Sequence, residues 1–141
     1  MIRTASAAWA GGLKNGGGNI STQRGMLDRA QYGFNTRFAD DAGTNPEELI
    51  AAAHAGCFTM ALAAQLGMAG MTAESLKTNA AVTMEKLDDG VVITSVHLDL
   101  LAIIPGADQA SFEAAAQQAK LNCPISKLLK ATITLDTILE N

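Results

Sequence analysis

The chain of 141 residues holds two thiols, Cys57 and Cys123. Cys57 lies within an apolar run, Leu49–Ala64, and Cys123 stands directly before Pro124. A free cysteine is often a small buried hydrophobe. A pair of them can also be a nucleophile and the partner that closes a disulfide on it. Local electrostatics favour Cys123 as the reactive member. Pro124 suits the first position of a helix, which places Cys123 at a positive helix end that favours thiolate. The electrostatics of Cys57 depend on tertiary neighbours, so the sequence leaves the order of attack open.

Other residues could take part. His54 precedes Cys57 by three positions and shares its helix face, where it could be a base, a ligand or packed core; packing is the favoured reading. Arg37 lies in Tyr32–Phe38, a segment that reads as a strand. Glu47 and Glu48 open a helix, and capping accounts for both. Two histidines and two cysteines without CxxC or HxxxH spacing give no expectation of a metal. Gly16–Gly18 lacks the lysine and spacing of a phosphate loop and reads as a hairpin connection.

The elements that must position these groups follow from pattern. Thr4–Ala10, Asn19–Arg24 and Gln31–Phe38 read as strands separated by glycine-rich turns. Asn45 caps a helix with Pro46 at its first position, running to about Leu66. Its middle is apolar on all sides and rich in alanine and glycine, which predicts burial on all sides. Lys77–Leu87 and Val91–Ile104 form a hairpin around Asp89-Gly90. In the second of these strands Val92, Val96, Leu98, Leu100 and Ile104 share a face. Asp108 caps a helix over Gln109–Leu121, Pro124–Lys130 is a short helix, and Thr132–Leu139 is a final strand with Ile133, Leu135 and Leu139 inward. The order predicts an α+β fold in a single domain, residues 1–141.

Composition excludes some functions. A net charge of −4 with no lysine or arginine cluster argues against nucleic acid. No apolar export segment opens the chain, and Leu49–Ala64 is short for a bilayer, so no membrane role is expected. The expected compartment is the reducing cytoplasm, where a disulfide is more often transient than structural.

Three blocks carry a resemblance. Tyr32–Phe38, Gly43–Phe58 (GTNPEELIAAAHAGCF) and Asn122–Ser126 (NCPIS) resemble the OsmC/Ohr family of osmotically inducible and organic hydroperoxide resistance proteins. The similarity runs the full chain and is closer to the OsmC branch, with an arginine in the third strand. Gly56 departs from the alanine more usual there.

The resemblance implies a thiol-dependent peroxidase that reduces organic hydroperoxides. Cys57 would be the peroxidatic cysteine and Cys123 the resolving one. Arg37 would hold and activate the Cys57 thiolate, and Glu47 would orient Arg37. The fold implied is an intertwined homodimer, with a long buried central helix packed against antiparallel sheets. No metal, flavin or haem is implied. The reductant would be an external dithiol, more a dihydrolipoyl group on a carrier protein than thioredoxin. Phe34, Phe58, Met60 and Leu62 would give an apolar lining suited to an alkyl hydroperoxide. Glu47 and Cys57 stand ten residues apart, which on a straight helix is about 15 Å along the axis and about 80° around it. A shared site needs either a break in the helix or residues from two chains. A binding protein on the same scaffold and a dithiol oxidoreductase, which would lack CxxC, are the competing readings.

Overall fold

The computed structural model describes residues 1–141, which divide into two compact units, Met1–Leu49 and Ile50–Asn141.

In the first unit, β1 (Ala5–Ala10), β2 (Gly17–Thr22) and β3 (Ala30–Tyr32) form an antiparallel meander in that order. The glycine run is the hairpin connection and the start of β2. Gly18 lies where a Cβ would come within 2.8 Å of both the Trp9 and Tyr32 rings, so only glycine lets that aromatic pair close over the strand.

The third strand is shorter than the sequence reading, and Arg37 is not on it. Phe34–Phe38 is a short helix, α1. Local bonds explain the difference. The Gly33 N–H donates to Thr36 Oγ1 at 2.8 Å, and the Thr36 hydroxyl donates back to the Gly33 carbonyl at 3.0 Å. The Ala39 N–H closes the turn on the Asn35 carbonyl. A threonine three residues past the break outweighs the β propensity of the aromatic residues around it.

The 23-residue helix α2, Pro46–Met68, starts in the first unit and continues through the second. Asn45 caps it by accepting from the Glu48 N–H at 2.8 Å. Its length and apolar composition are those of a helix able to cross a membrane, longer than the run read from sequence. The buried residues are a single stripe, His54, Phe58, Leu62 and Leu66, four apart in each step. Met60 and Met68 are exposed. The expected burial on all sides therefore does not occur within one chain, because the elements of this unit cover one face only.

That unit's sheet joins β4 (Ser75–Leu87), β5 (Gly90–Ile103) and β6 (Thr132–Glu140), with β5 in the centre. β4 and β5 are antiparallel, whereas β6 runs parallel to β5 from Ser95↔Thr132 to Ile103↔Glu140. The sheet is mixed rather than antiparallel because α3 (Gln109–Asn122) and α4 (Pro124–Leu128) carry the chain back as a crossover before β6 begins. Val96, Leu98, Leu100, Ala102 and Ile104 alternate into the core with Phe58, Leu62, Leu66 and Phe112. Val92 does not join them. The register slips between Thr83 and Met84, leaving Thr94 unpaired, so Ile93 rather than Val92 falls on the inner face. Thr59 Oγ1 donates to the Ala55 carbonyl, and so accepts from the Thr78 hydroxyl on β4 at 2.7 Å, tying helix to sheet just past Cys57.

Asp108 caps α3 as read from sequence, accepting from the Ser111 N–H and hydroxyl at 2.9 and 2.8 Å. These bonds hold its carboxyl below the ordinary value, the backbone N–H contributing most. A depressed folded pKa contributes stability that is present above the unfolded pKa of about 3.9 and is lost as pH falls through the folded value. Asp108→Ala should therefore lower the melting temperature at pH 7, with a difference from the parent that shrinks towards zero on acidification below pH ~4. Thermal unfolding at stepped pH checks this.

Candidate active site

Two pairs of side chains meet, one in each unit. In the first unit Arg37, on α1, reaches Glu47, in the first turn of α2. Arg37 Nε lies 3.1 Å from both carboxylate oxygens, and its Nη2 donates to Oε1. This is a fork-on-carboxylate pair that fixes the plane of the guanidinium as well as its charge. The carboxylate is the more buried member, at 14% side-chain exposure against 38% for the arginine. Asn45 braces the arrangement by donating from Nδ2 to the Thr36 carbonyl at 2.9 Å while it caps α2. Gly43 makes the approach possible. Its φ is +139°, and a Cβ there would lie 2.5 Å from the Gln31 carbonyl oxygen. A cavity of about 90 Å³ beside Arg37 is lined by Trp9, Leu13, Tyr32, Phe34 and Phe38.

In the second unit the two thiols meet. Cys57 sits on α2 and is partly exposed; Cys123 has no exposure. Cys123 is the hinge residue between helices, with its N–H on the Ala119 carbonyl of α3 and its carbonyl accepting from the Lys127 N–H of α4. Both are free thiols in hydrogen-bonding contact. Burial pushes the Cys57 thiol above its ordinary pKa, and the hydrogen bond and charge of Cys123 push the same way. The Ile125 N–H, which bonds the Cys57 sulfur, opposes them. No cation is among these influences. By accessibility Cys57 is the thiol that a reagent can reach and Cys123 the one held behind it, the reverse of the order suggested by helix-end electrostatics alone.

His54 is fully buried in the same stripe of α2. Its Nε2 lies 2.8 Å from Ser126 Oγ in α4, while Nδ1 is buried with no hydrogen-bond partner. Burial lowers its pKa, so the imidazole is neutral at pH 7. Leaving such a nitrogen unpaired costs about 1–3 kcal/mol. The packed-core reading of His54 thus holds, with a specific polar contact that the sequence did not disclose, since Ser126 is 72 residues away. Ile125 was missed for a different reason, because a backbone donor leaves no trace in residue type. Of the expected apolar lining, Phe34 borders the cavity beside Arg37, Phe58 and Leu62 are core, and Met60 points outward.

One further group has ligand-like spacing. His97 and Asp99 on β5 and Asp136 on β6 bring one donor atom each to within 4.8 Å of one another. His97 Nε2 is 3.2 Å from both carboxylates, and its Nδ1 pairs with Thr134 Oγ1. Cross-strand register assembles this group, so no local spacing in the sequence could signal it.

A family model described as OsmC-like protein matches residues 39–138. The chain belongs to the OsmC family. That stretch contains Glu47, Cys57 and Cys123 and begins just after Arg37. The chain is 49% identical over 134 residues to a protein of Escherichia coli (strain K12) named Peroxiredoxin OsmC, covering 95% of this chain and 94% of that one. This places it in the OsmC branch. The fold is shared with the organic hydroperoxide resistance protein OhrB of Bacillus subtilis at 25% identity and a TM-score of 0.69, over 97% of this chain and 98% of that one. An OsmC-like protein of unknown function from Vibrio cholerae has the same fold at 17% identity and a TM-score of 0.79, over 98% and 99% of the two chains.

The burial difference has a direct consequence. A small alkylating reagent applied to the reduced, folded protein should modify Cys57 first, with Cys123 reacting more than about tenfold slower until denaturant is added. Peptide mapping by mass spectrometry at timed quenches reads both sites.

Proposed function

We propose that the protein is a cysteine-based peroxidase that reduces organic hydroperoxides, and hydrogen peroxide more weakly, to alcohols. The observation that carries this is the contact between a reachable thiol, Cys57, and a fully buried one, Cys123, in a chain of the OsmC family. The names of relatives support the same reading: Peroxiredoxin OsmC in Escherichia coli, and organic hydroperoxide resistance protein in Bacillus subtilis.

The Cys57 thiolate takes the distal oxygen of the peroxide, the O–O bond breaks, and the departing alkoxide gains a proton and leaves as the alcohol. The peroxide is reduced by two electrons and Cys57 is oxidised to a sulfenic acid. Cys123 then gives up its proton and attacks the sulfenic sulfur; the hydroxyl leaves with that proton as water and a Cys57–Cys123 disulfide forms. An external dithiol, of the dihydrolipoyl type on a carrier protein, restores both thiols by exchange and is itself oxidised to a disulfide. The electrons come from thiols throughout, so the cycle calls for no metal, flavin or haem. Two free thiols that must be reset each turn suit a reducing cytoplasm.

Cys57 needs a positive charge, because its own unit raises its pKa. Lowering a thiol pKa by two units takes about 2.7 kcal/mol. A guanidinium at about 4 Å supplies about 4 kcal/mol at an effective dielectric near 20. Arg37 is the candidate, its guanidinium plane fixed by Glu47. It would also stabilise charge on the leaving oxygen, and the apolar cavity beside it would take an alkyl group. The continuous course of α2 from Pro46 to Met68 supports the two-chain route to a shared site. The Arg37–Glu47 pair would then serve the Cys57 of a second copy, in a homodimer that also covers the exposed faces of α2.

Cys57→Ser should abolish hydroperoxide consumption, and Cys123→Ser should consume one equivalent and stop as a sulfenic acid. Arg37→Ala should fold, yet move the pH profile of Cys57 alkylation above the ordinary thiol value of about 8.5, with at least tenfold slower reaction at pH 7. A Cys123→Ser protein that is dead in its first turnover would reverse the assigned order of attack.

A further inference from the structure

The first turn of α4 touches α2 at two successive positions of one helix face. The Ile125 N–H and the Cys123 thiol meet the sulfur of Cys57, and Ser126 Oγ meets Nε2 of His54 at 2.8 Å. His54 and Cys57 stand three residues apart on α2, one turn of the same face. The α4 side of the contact is a five-residue helix, Pro124–Leu128, with no buried residue of its own. Its apolar contact with the core comes from the partly buried Ile125, and the bond of Ser126 to His54 adds a directional polar contact to it. The imidazole is fully buried, yet one ring nitrogen has no partner. An apolar side chain of similar size would avoid that unpaired nitrogen, so the histidine is costly as filler and its contribution is the bond to Ser126.

We infer that His54 is a positioning residue for the second chemical step: through Ser126 it sets the register of α4 on α2 and so holds Cys123 in line with the sulfenic acid on Cys57. The inference rests on the peroxidase reading. The step it serves is the attack of the Cys123 sulfur on the Cys57 sulfur, with the sulfenic hydroxyl leaving as water. His54 touches neither reacting atom. Its effect is on the geometry of approach, and small misplacements of this kind slow a reaction without changing its chemistry. The first step, attack of Cys57 on peroxide, does not require Cys123 and should be indifferent to His54.

The test separates the two steps in the reduced, full-length protein as it assembles in solution. Cumene hydroperoxide is mixed in rapidly, and the reaction is stopped at timed intervals with dimedone, which traps sulfenic acid, and a thiol-blocking reagent. Intact mass then counts reduced, sulfenic, sulfinic and disulfide forms. His54→Ala and Ser126→Ala should each form sulfenic acid at the parental rate and close the disulfide about tenfold slower, the equivalent of losing one hydrogen bond. Sulfinic acid should build up at high peroxide as a result. The double variant should be no slower than either single, because both remove the same bond. His54→Gln places an amide near the Nε2 position and should recover most of the disulfide rate, whereas His54→Asn, whose amide stops near Nδ1, should not.

Disulfide closure at the parental rate in Ser126→Ala, or equal slowing of both steps in His54→Ala with no recovery in His54→Gln, would overturn the assignment. If His54→Ala fails to fold, Ser126→Ala carries the test by itself, since Ser126 is only half-buried. Failure of the underlying reading looks different: the parent itself would form neither sulfenic acid nor disulfide.

Discussion

The proposed chemistry depends on one short contact, the seating of the Cys123–Ser126 turn against the middle of α2. It brings together two sulfurs that lie far apart in the chain and assigns them different surroundings. Cys57 keeps an open side, and Cys123 is sealed at the joint of α3 and α4. The larger features of the second unit serve that contact. The Phe58, Leu62 and Leu66 stripe fixes the rotation of α2 over the sheet. The Asp108 cap fixes where α3 begins, and Pro124 ends it at Cys123. Burying each large apolar side chain stabilises the fold by about 1.5–3 kcal/mol, which is ample to hold two thiols in register.

The same contact creates an electrostatic demand that its own unit does not meet. Burial and the neighbouring sulfur both favour the neutral thiol, and a single N–H from Ile125 opposes them. A thiol held neutral is a poor nucleophile at pH 7. The Arg37–Glu47 pair has the form of the missing component. The carboxylate grips the guanidinium through Nε and Nη2, which fixes the plane in which the positive charge is held. That pair stands at the first turn of an unbroken helix whose apolar faces are largely uncovered in one chain. In the proposed homodimer a second copy would answer the electrostatic demand and cover the exposed surface together.

Much of this was legible in the sequence where a local rule governs. Asn45-Pro46 and Asp108 announced two helix starts because a cap is a contact within three residues. The alternation from Val96 to Ile104 announced the core face of β5. The resemblance in the NPEEL, HAGCF and NCPIS segments singled out the four residues that the structure brings together two by two. Failures occurred where distant or competing forces decide. Thr36 closes a turn that converts the end of an expected strand into α1, moving Arg37 onto a helix. An unpaired Thr94 transfers Val92 off the inner face, which no alternation pattern reveals. The parallel course of β6 follows from a crossover, and the contact of His54 with Ser126 follows from tertiary packing. Helix-end electrostatics pointed to Cys123, whereas exposure, which the sequence does not carry, points to Cys57.

Cys57 and Cys123 are proposed to act as a single redox pair on a hydroperoxide. Intact-mass spectrometry of the fully reduced protein, treated with one equivalent of cumene hydroperoxide and quenched with a thiol-blocking reagent, tests it most directly. Loss of two hydrogens within seconds, release of the alcohol, and peptide mapping of the new bond to Cys57 and Cys123 are the expected result. An unchanged mass with both thiols still open to alkylation would contradict it.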